Sequence, residues 1–329
     1  MFLSKKNFVW IFLGLAVFVA LLGYLDIGKS LGKIAHLNLK YFLIVVCLMA
    51  VQQYLGYVKW RVMYHASIEN HRQPLLPVYA SVLVGSMITP GRSGDILVSL
   101  SWRSIQGKVL AWSIFHRISE GSVTIIISLA IFGFFFNSYF ESFRWPYVLV
   151  FLFLAVLAIF ISLNRKAGMS FLKSCRDILL KFRGLILVAR ILKYEERIKR
   201  QMKFYYDTMA QFKSKHVLVL LIFITLLNRG VIIFLNGMIL ASLGVFVPWM
   251  IILGILASIW IGVFLAPTPG GLGIGDIAPS LILSGVGFKE YAGGFILLNR
   301  LIEASIILFW SFVFIRTRTR EKSFVIKDA

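Results

Sequence analysis

Apolar residues are arranged along this chain in runs that are long enough for helices to cross a lipid bilayer. A crossing takes roughly 20 apolar residues, and short polar stretches separate the runs. The six uninterrupted runs, each predicted to be a transmembrane helix, lie at 8–25, 41–58, 109–137, 146–163, 217–241 and 291–315. The pattern therefore predicts an all-α polytopic membrane protein with about six spans.

Two further apolar stretches, 76–100 and 248–287, are interrupted in the middle by proline and glycine. Such residues break a helix into two halves, because proline lacks the backbone N–H and glycine favours other conformations. Each half of the first stretch is too short to cross, which predicts a re-entrant hairpin that enters and leaves by the same face. In the second stretch, residues 247–266 are long enough to cross alone, so a span and a hairpin both remain open.

The composition excludes a soluble protein and gives no support to metal chemistry. Hydrophobic residues make up 59% of the 329 residues and charged residues 15%, against roughly 45–50% and 25% in soluble domains. The cysteines, Cys47 and Cys175, are too few for a disulfide framework, and the five histidines lack the spacing of zinc ligands. We therefore expect no catalytic residue, no metal, no cofactor and no enzymatic activity.

The basic residues predict the orientation of the chain. There are 35 Lys and Arg residues against 14 Asp and Glu, and 14 of the basic residues lie in the segment 165–215. Cytoplasmic loops carry an excess of Lys and Arg, which places this segment and both termini in the cytoplasm. The run 8–25 lacks a signal-peptide cleavage site and is expected to remain as a span. The basic segment is interpreted either as a linker or as an interfacial helix that concentrates anionic lipid.

A motif that combines a hairpin turn with intramembrane charges occurs twice. The sequence T-P-G…G-D at 89–95 recurs at 268–276, and each copy is followed by R-x-x-E, at 117–120 and at 300–303. The predicted orientation gives the two copies opposite directions in the membrane, as in the inverted repeats of transporters. The chain is thus interpreted as a single integral membrane domain, 1–329, made of 1–40 (first span and outer loop), 41–137 (repeat 1), 138–164 (linking span), 165–215 (basic cytoplasmic loop), 216–316 (repeat 2) and 317–329 (tail).

Charged residues inside the predicted membrane segments are the candidate substrate-binding residues, because an ionised group there is costly unless it is paired or wet. They are Arg92, Asp95, Arg117, Glu120, Arg229, Asp276, Arg300 and Glu303. The R-x-x-E spacing fits two interpretations. One is an intrahelical ion pair, and the other is an arginine that binds a phosphate or carboxylate ligand and pairs with the glutamate when no ligand is bound. The negative charge that compensates Arg229 can come either from an acid of the repeat or from the substrate itself.

The hairpin turns supply the second set of candidate residues. Asp95 and Asp276 follow a glycine and precede an apolar run, which is typical of an N-cap or first-turn acid. A half-helix that begins there offers free N–H groups and a positive dipole end to an anion such as a lipid phosphate. Close approach of backbone and ligand is expected at Pro90, Gly91, Gly94, Pro269, Gly270, Gly271, Gly273 and Gly275.

The hairpin motifs T-P-G…G-D and A-P-T-P-G-G-L-G-I-G-D, the latter followed by N-R-x-x-E, resemble the lysylphosphatidylglycerol synthetase transmembrane-region family. This family is the flippase-like half of the bifunctional aminoacyl-phospholipid synthase/flippase. The resemblance covers roughly 8–315 and is most specific at Pro267 to Asp276, although the family more often has Glu at position 276. Only Arg316 to Ala329 follow the last span, so we expect the synthase domain and lipid aminoacylation to be absent.

The resemblance implies a flippase or lipid-handling transporter in a bacterial or archaeal cytoplasmic membrane. Its expected partners are membrane lipids, either an anionic or zwitterionic phospholipid or a polyprenyl phosphate, together with a separate lipid-modifying enzyme. A nucleic-acid partner is not expected. Two alternatives are an ion-coupled transporter of a small anion and, less well supported by the acids present, a polyprenyl-lipid-linked glycosyltransferase.

Overall fold

The computed structural model describes residues 5–67, 75–89, 106–139, 164–181, 203, 206–207, 215–265, 268 and 271–327. This part of the chain contains helices and no strand. The helices are α1 (Lys5–Tyr24), α2 (Ile27–Ala35), α3 (Leu39–Ser67), α4 (Leu75–Ile88), α5 (Gln106–Tyr139), α6 (Arg165–Lys181), α7 (Lys215–Ser242), α8 (Trp249–Leu265), α9 (Ile274–Gly285) and α10 (Lys289–Lys327).

Three of the described helices are long and apolar enough to cross a membrane. They are Leu39–Ser67, His216–Ser242 and Lys289–Thr317, and they contain the predicted spans 41–58, 217–241 and 291–315. Large apolar side chains such as Phe223 and Phe312 are exposed along them, as expected where lipid is the solvent. The predicted all-α membrane protein is therefore confirmed.

The other predicted spans have different outcomes. The run 109–137 coincides with α5, whereas 146–163 lies outside the described residues. The run 8–25 coincides with α1, which together with α2 forms a fourth candidate span that bends by 81°. The predicted outer loop 26–40 is thus largely helical.

The second interrupted stretch forms two apolar helices, α8 and α9, on either side of the glycine-rich turn. At 1.5 Å per residue, the 17 residues of α8 extend about 26 Å and the 12 residues of α9 about 18 Å. Both lengths fall short of the roughly 30 Å hydrocarbon core. The two helices pack against each other, which favours the hairpin over a single crossing.

The two repeats pack on each other reciprocally. The first spans of the repeats, α3 and α7, form the most extensive helix pair of the described structure. Helix α4, the described part of the first interrupted stretch, packs on α10 of repeat 2, and α8 of the second interrupted stretch packs on α5 of repeat 1. The rest of the predicted hairpin 76–100, residues 90–100, lies outside the described residues. Rings of Tyr79 and Trp310, 5.0 Å apart and nearly perpendicular, illustrate the first of these contacts. This exchange of partners is the pattern that a two-fold relation between the repeats generates.

The short helix α2 fastens the N-terminal region to repeat 2. Asp26 caps α2 by accepting a hydrogen bond from the Lys29 amide, and the Lys33 ammonium lies 3.4 Å from the Glu290 carboxylate at the start of α10. Gly293 permits the close contact, since a Cβ atom there would overlap the Ser30 hydroxyl. The N-terminal region is therefore held against α10.

Candidate functional site

A cavity of about 210 Å³, lined by both polar and apolar side chains, lies at the contact between the two repeats. Its walls come from α3, α4 and α5 of repeat 1 and from α7, α8 and α10 of repeat 2. Glu120 and Glu303, which occupy equivalent positions in the R-x-x-E motifs, both line it. His116 and Asn299 also line it, and each stands directly before the arginine of its motif. The duplicated motif thus faces one cavity from both sides.

Glu120 on α5 is the centre of a buried ion cluster. Its carboxylate lies 2.6 Å from the Arg229 guanidinium of α7, 3.9 Å from the Lys59 ammonium of α3 and 3.4 Å from His116 Nε2. Lys59 also donates a hydrogen bond of 2.8 Å to the Ser119 hydroxyl. Arg229 and Lys59 are each only 1% exposed. Two cations are therefore held inside the helix bundle by one acid, which connects three helices.

Arg300 on α10 is the centre of the second cluster. Its guanidinium donates to both carboxylate oxygens of Asp276, with Nη2 to Oδ1 at 2.8 Å, and Nη1 donates to Glu303 at 2.6 Å. Nη2 also donates to the Gly271 carbonyl at 3.2 Å. The predicted intrahelical pairing of Arg300 with Glu303 is thus present. The same arginine ties the hairpin turn to α10, because its planar fork of donors serves several acceptors at once.

Asp276 acts at the N-terminus of α9 as its sequence position predicts. Its carboxylate accepts a hydrogen bond of 3.0 Å from the amide of Gly273, the N-cap residue. Gly271 and Gly273 have φ angles of 71° and 76°, a region that residues with a Cβ rarely adopt. The chain's own carboxylate therefore provides the negative charge that this helix end favours, where the sequence suggested a lipid phosphate.

The two clusters carry different charge balances. In the Glu120 cluster two cations, Lys59 and Arg229, surround one acid. In the Arg300 cluster two acids, Asp276 and Glu303, surround one cation. Among the described residues, the cation-rich group thus lies between the two repeats, and the acid-rich group lies within repeat 2.

The structure brings together only some of the candidate residues. Glu303 lines the main cavity and also a neighbouring one of about 50 Å³, together with Gly275, Asp276 and Arg300. Arg229 contacts Glu120, which supplies the partner acid that the sequence left open. Arg117 lies on α5 next to His116. Seven candidates lie outside the described residues: Pro90, Gly91, Arg92, Gly94, Asp95, Pro269 and Gly270.

Several polar residues of the site were missed in the sequence. Lys59 lies just beyond the apolar run that ends at 58 and so was not a candidate, but α3 continues to Ser67 and buries it. The spacing of His116 from the other histidines does not fit a zinc site, so the sequence assigned it no role. Its position directly before R-x-x-E nevertheless matches that of Asn299. Asn228 and Asn236 lie eight residues apart, which puts them on one face of α7. This spacing was the sequence signal that could have identified the two asparagines as site residues.

Residues 23–30 match the nucleotide-binding pattern G-x-x-x-x-G-K-S. Such a loop binds phosphate when it joins a strand to a helix. Here the segment joins α1 to α2, and the Lys29 ammonium lies 3.1 Å from the Asp26 carboxylate. The Ser30 hydroxyl donates to the Asp26 carbonyl. The match is therefore the bend between two helices and lacks the geometry of a phosphate loop.

Comparisons with known proteins identify the family. Neither a curated protein nor a solved structure matches the chain. The family described as lysylphosphatidylglycerol synthase TM region matches residues 11–311, which is nearly the whole chain. A match of this extent confirms the resemblance carried by the hairpin and R-x-x-E motifs. The chain belongs to the lysylphosphatidylglycerol synthase transmembrane-region family.

Proposed function

We propose that this protein is a lipid flippase, or a closely related lipid-handling transporter, that moves a phosphate-bearing amphipathic lipid between leaflets. The observation that carries the proposal is the cavity that Glu120 and Glu303 line from equivalent positions of two repeats. A site shared by two repeats near the membrane interior is the arrangement on which alternating access depends. Membership of a family associated with membrane lipids gives the proposal its substrate class.

The size of the cavity suits a head group and leaves the acyl chains in the bilayer. Sites that enclose a whole drug-sized ligand usually measure about 300–1,000 Å³, and this cavity measures about 210 Å³. The helices around it expose apolar side chains to lipid, Leu227 on α7 and Leu308 on α10 among them. A lipid can therefore keep its tails outside while its head group passes between the repeats.

The Glu120 cluster provides a reversible counter-ion for a phosphate. In the absence of substrate, Glu120 neutralises Arg229 at 2.6 Å and keeps Lys59 within 3.9 Å. A phosphate that reaches this cluster competes with the carboxylate for the same donors, since both anions accept bidentate hydrogen bonds from arginine. The carboxylate then displaces the phosphate again, which prevents the cations from trapping the lipid. The protein performs no covalent step in this proposal.

The test is lipid exchange in vesicles. The purified protein is reconstituted with a dye-labelled phospholipid in both leaflets, and dithionite is added outside to bleach the outer dye. Bleaching should proceed to near completion, whereas it stops at the outer half in protein-free vesicles. Replacing Ile259, which lines both cavities, with tryptophan should slow exchange roughly tenfold or more, because the larger ring fills the path.

The matched control is Val219→Trp, since Val219 is 65% exposed on the lipid-facing side of α7. It should exchange lipid at the wild-type rate. Bleaching that stops at half for every phospholipid tested and for a polyprenyl phosphate would contradict the proposal. Uptake of a radiolabelled small anion in the same vesicles would then favour the alternative transporter.

The proposed location is a bacterial or archaeal cytoplasmic membrane, with both termini in the cytoplasm and a separate lipid-modifying enzyme as partner. The orientation rests on the 14 basic residues of the segment 165–215, which contains Cys175. In a Cys47→Ser background, an impermeant maleimide should label Cys175 only after the cells are permeabilised. Labelling of intact cells would reverse the orientation and the direction in which each hairpin faces.

A further inference from the structure

Asn236 on α7 contributes a buried oxygen atom to the wall of the larger cavity. The residue is 4% exposed and lines that cavity, and its Nδ2 donates a hydrogen bond of 2.8 Å to the Ile232 carbonyl. Because the carbonyl accepts, this contact fixes which end of the amide is nitrogen. The other atom, Oδ1, is buried and has no hydrogen-bond partner among the described residues. A buried acceptor without a partner is costly, which points to a ligand at this oxygen.

Asn299 on α10 repeats this arrangement. Its Nδ2 donates a hydrogen bond of 3.1 Å to the Phe295 carbonyl four residues earlier, which leaves its Oδ1 as an acceptor. Asn299 lines both the larger cavity and the adjoining cavity of about 50 Å³. The neighbours of the two asparagines pack together, since Leu235 of α7 and Ile296 of α10 belong to one apolar cluster. Two helices therefore bring amide oxygens to the same region of the cavity.

Glu303, one helical turn after Asn299, adds a carboxylate that also lines both cavities. Its Oε2 accepts a hydrogen bond from Arg300, but a carboxylate has about four acceptor positions and can bind a cation as well. Arg300 is already neutralised by Asp276, which accepts from it through both carboxylate oxygens. This cluster of two acids and one guanidinium therefore retains one negative charge beside the amide oxygens.

Helix α9 brings a further oxygen to the smaller cavity. Pro279 lies inside α9 and has no backbone N–H, so it cannot donate to the Gly275 carbonyl four residues earlier. Both residues line the cavity of about 50 Å³, together with Asn299 and Glu303. The boundary between the two cavities thus collects amide, carboxylate and backbone carbonyl groups.

Oxygen atoms with a single negative charge among them suit a small monovalent cation. Hard metal ions prefer oxygen ligands, and a divalent ion is usually held by more carboxylates than this boundary offers. A proton would bind to one acceptor and leave the other oxygens without a partner. The small volume of the adjoining cavity favours sodium over the larger potassium ion.

We propose that the chain binds a sodium ion through Oδ1 of Asn236, Oδ1 of Asn299 and the carboxylate of Glu303. The inference goes beyond the proposed function, because it assigns an ion to the acid-rich group and requires no lipid. The sequence did not predict this site, since two of its three ligands are amide oxygens on different helices. Broken helices hold coupling ions in transporters with inverted repeats, so a sodium ion is chemically reasonable beside the turn before α9.

The test measures sodium binding directly and separately from transport. The purified full chain in detergent is attached to scintillation beads and equilibrated with radioactive sodium, with choline chloride keeping the ionic strength constant. Unlabelled sodium should displace the label at concentrations roughly tenfold or more below those of potassium. Asn236→Leu, which keeps a similar volume and removes the acceptor, should weaken sodium binding roughly tenfold or more.

The control variant is Thr225→Val on the same helix. Thr225 is fully buried, and its hydroxyl donates to the Leu221 carbonyl four residues earlier, but it does not line the cavity. The variant therefore removes a comparable local hydrogen bond and should bind sodium as the wild type does. If Asn236→Leu aggregates in size-exclusion chromatography, Asn299→Leu takes its place with the same expected loss, and the comparison of sodium with potassium needs no variant.

The absence of saturable sodium binding by the wild type would overturn the inference, as would displacement of the label by sodium and potassium at equal concentrations. Wild-type affinity in a folded Asn236→Leu variant would also overturn it. Lipid exchange by a protein that binds no sodium would leave the flippase proposal intact and remove only the ion site. Sodium binding without lipid exchange would do the reverse.

Discussion

Replacing Glu120 with leucine is expected to lower the free energy of unfolding by about 3–5 kcal/mol, because it removes one partner of a buried ion cluster. Arg229 and Lys59 would remain at 1% exposure without the carboxylate that contacts both. Thermal unfolding in detergent, followed by size-exclusion chromatography, measures the loss as a lower midpoint and as aggregated material. The effect should exceed that of most single substitutions, since it removes a carboxylate that contacts two buried cations.

The matched control is Glu290→Gln at the start of α10. Glu290 pairs with Lys33 across an interface that is half open to solvent, so its loss should shift the unfolding midpoint little. A double variant, Glu120→Leu with Arg229→Met, should recover part of the stability, because it also removes one of the two buried cations that Glu120 contacts. Wild-type stability of Glu120→Leu alone would show that the cluster contributes nothing to the fold.

Replacing Arg300 with methionine is the second change with a large expected effect, a loss of about 3 kcal/mol or more. Asp276 and Glu303 would face each other without the guanidinium that binds both, and the Gly271 carbonyl would keep only the Gly275 amide as a donor. We expect the hairpin turn to separate from α10. Protease cleavage within residues 266–273, compared with the wild type by mass spectrometry, reports this separation directly.

The variant Arg300→Lys distinguishes the effect of the positive charge from the effect of the planar guanidinium group. Lysine keeps the positive charge but lacks the planar fork that binds Asp276 at two oxygens. It should recover less than half of the stability that methionine loses. Full recovery would mean that the charge alone holds the turn, and cleavage equal to the wild type in Arg300→Met would contradict the role of Arg300 as the tie.

Much of the architecture followed from residue patterns, because lipid imposes a simple rule on helices. The spans 41–58, 217–241 and 291–315 were readable as apolar runs, and the hairpin break was readable from Pro267 to Gly271. The pairing of Arg300 with Glu303 followed from their spacing of three residues on one helix. Each of these features is determined by residues that lie close together in the sequence.

The contacts that build the site depend on residues far apart in the chain and were therefore not predictable from spacing. The bond from Arg229 to Glu120 joins two repeats, and Lys59 arrives from a third helix beyond the end of its apolar run. Helix α2 was predicted as a loop because its polar residues conceal the contact with α10. No local pattern specifies which polar side chains meet across a bundle.

The reciprocal exchange of helices between the repeats has a consequence for biosynthesis. When repeat 1 has been inserted into the membrane, its helix α4 still lacks α10, which is translated later. Glu120 of repeat 1 likewise lacks its partner Arg229 until 109 further residues have been synthesised. The first half must therefore persist in the bilayer as an unfinished intermediate, and premature termination anywhere before α10 leaves both halves incomplete. Quality control by membrane proteases would then act on the whole chain as a single unit of assembly.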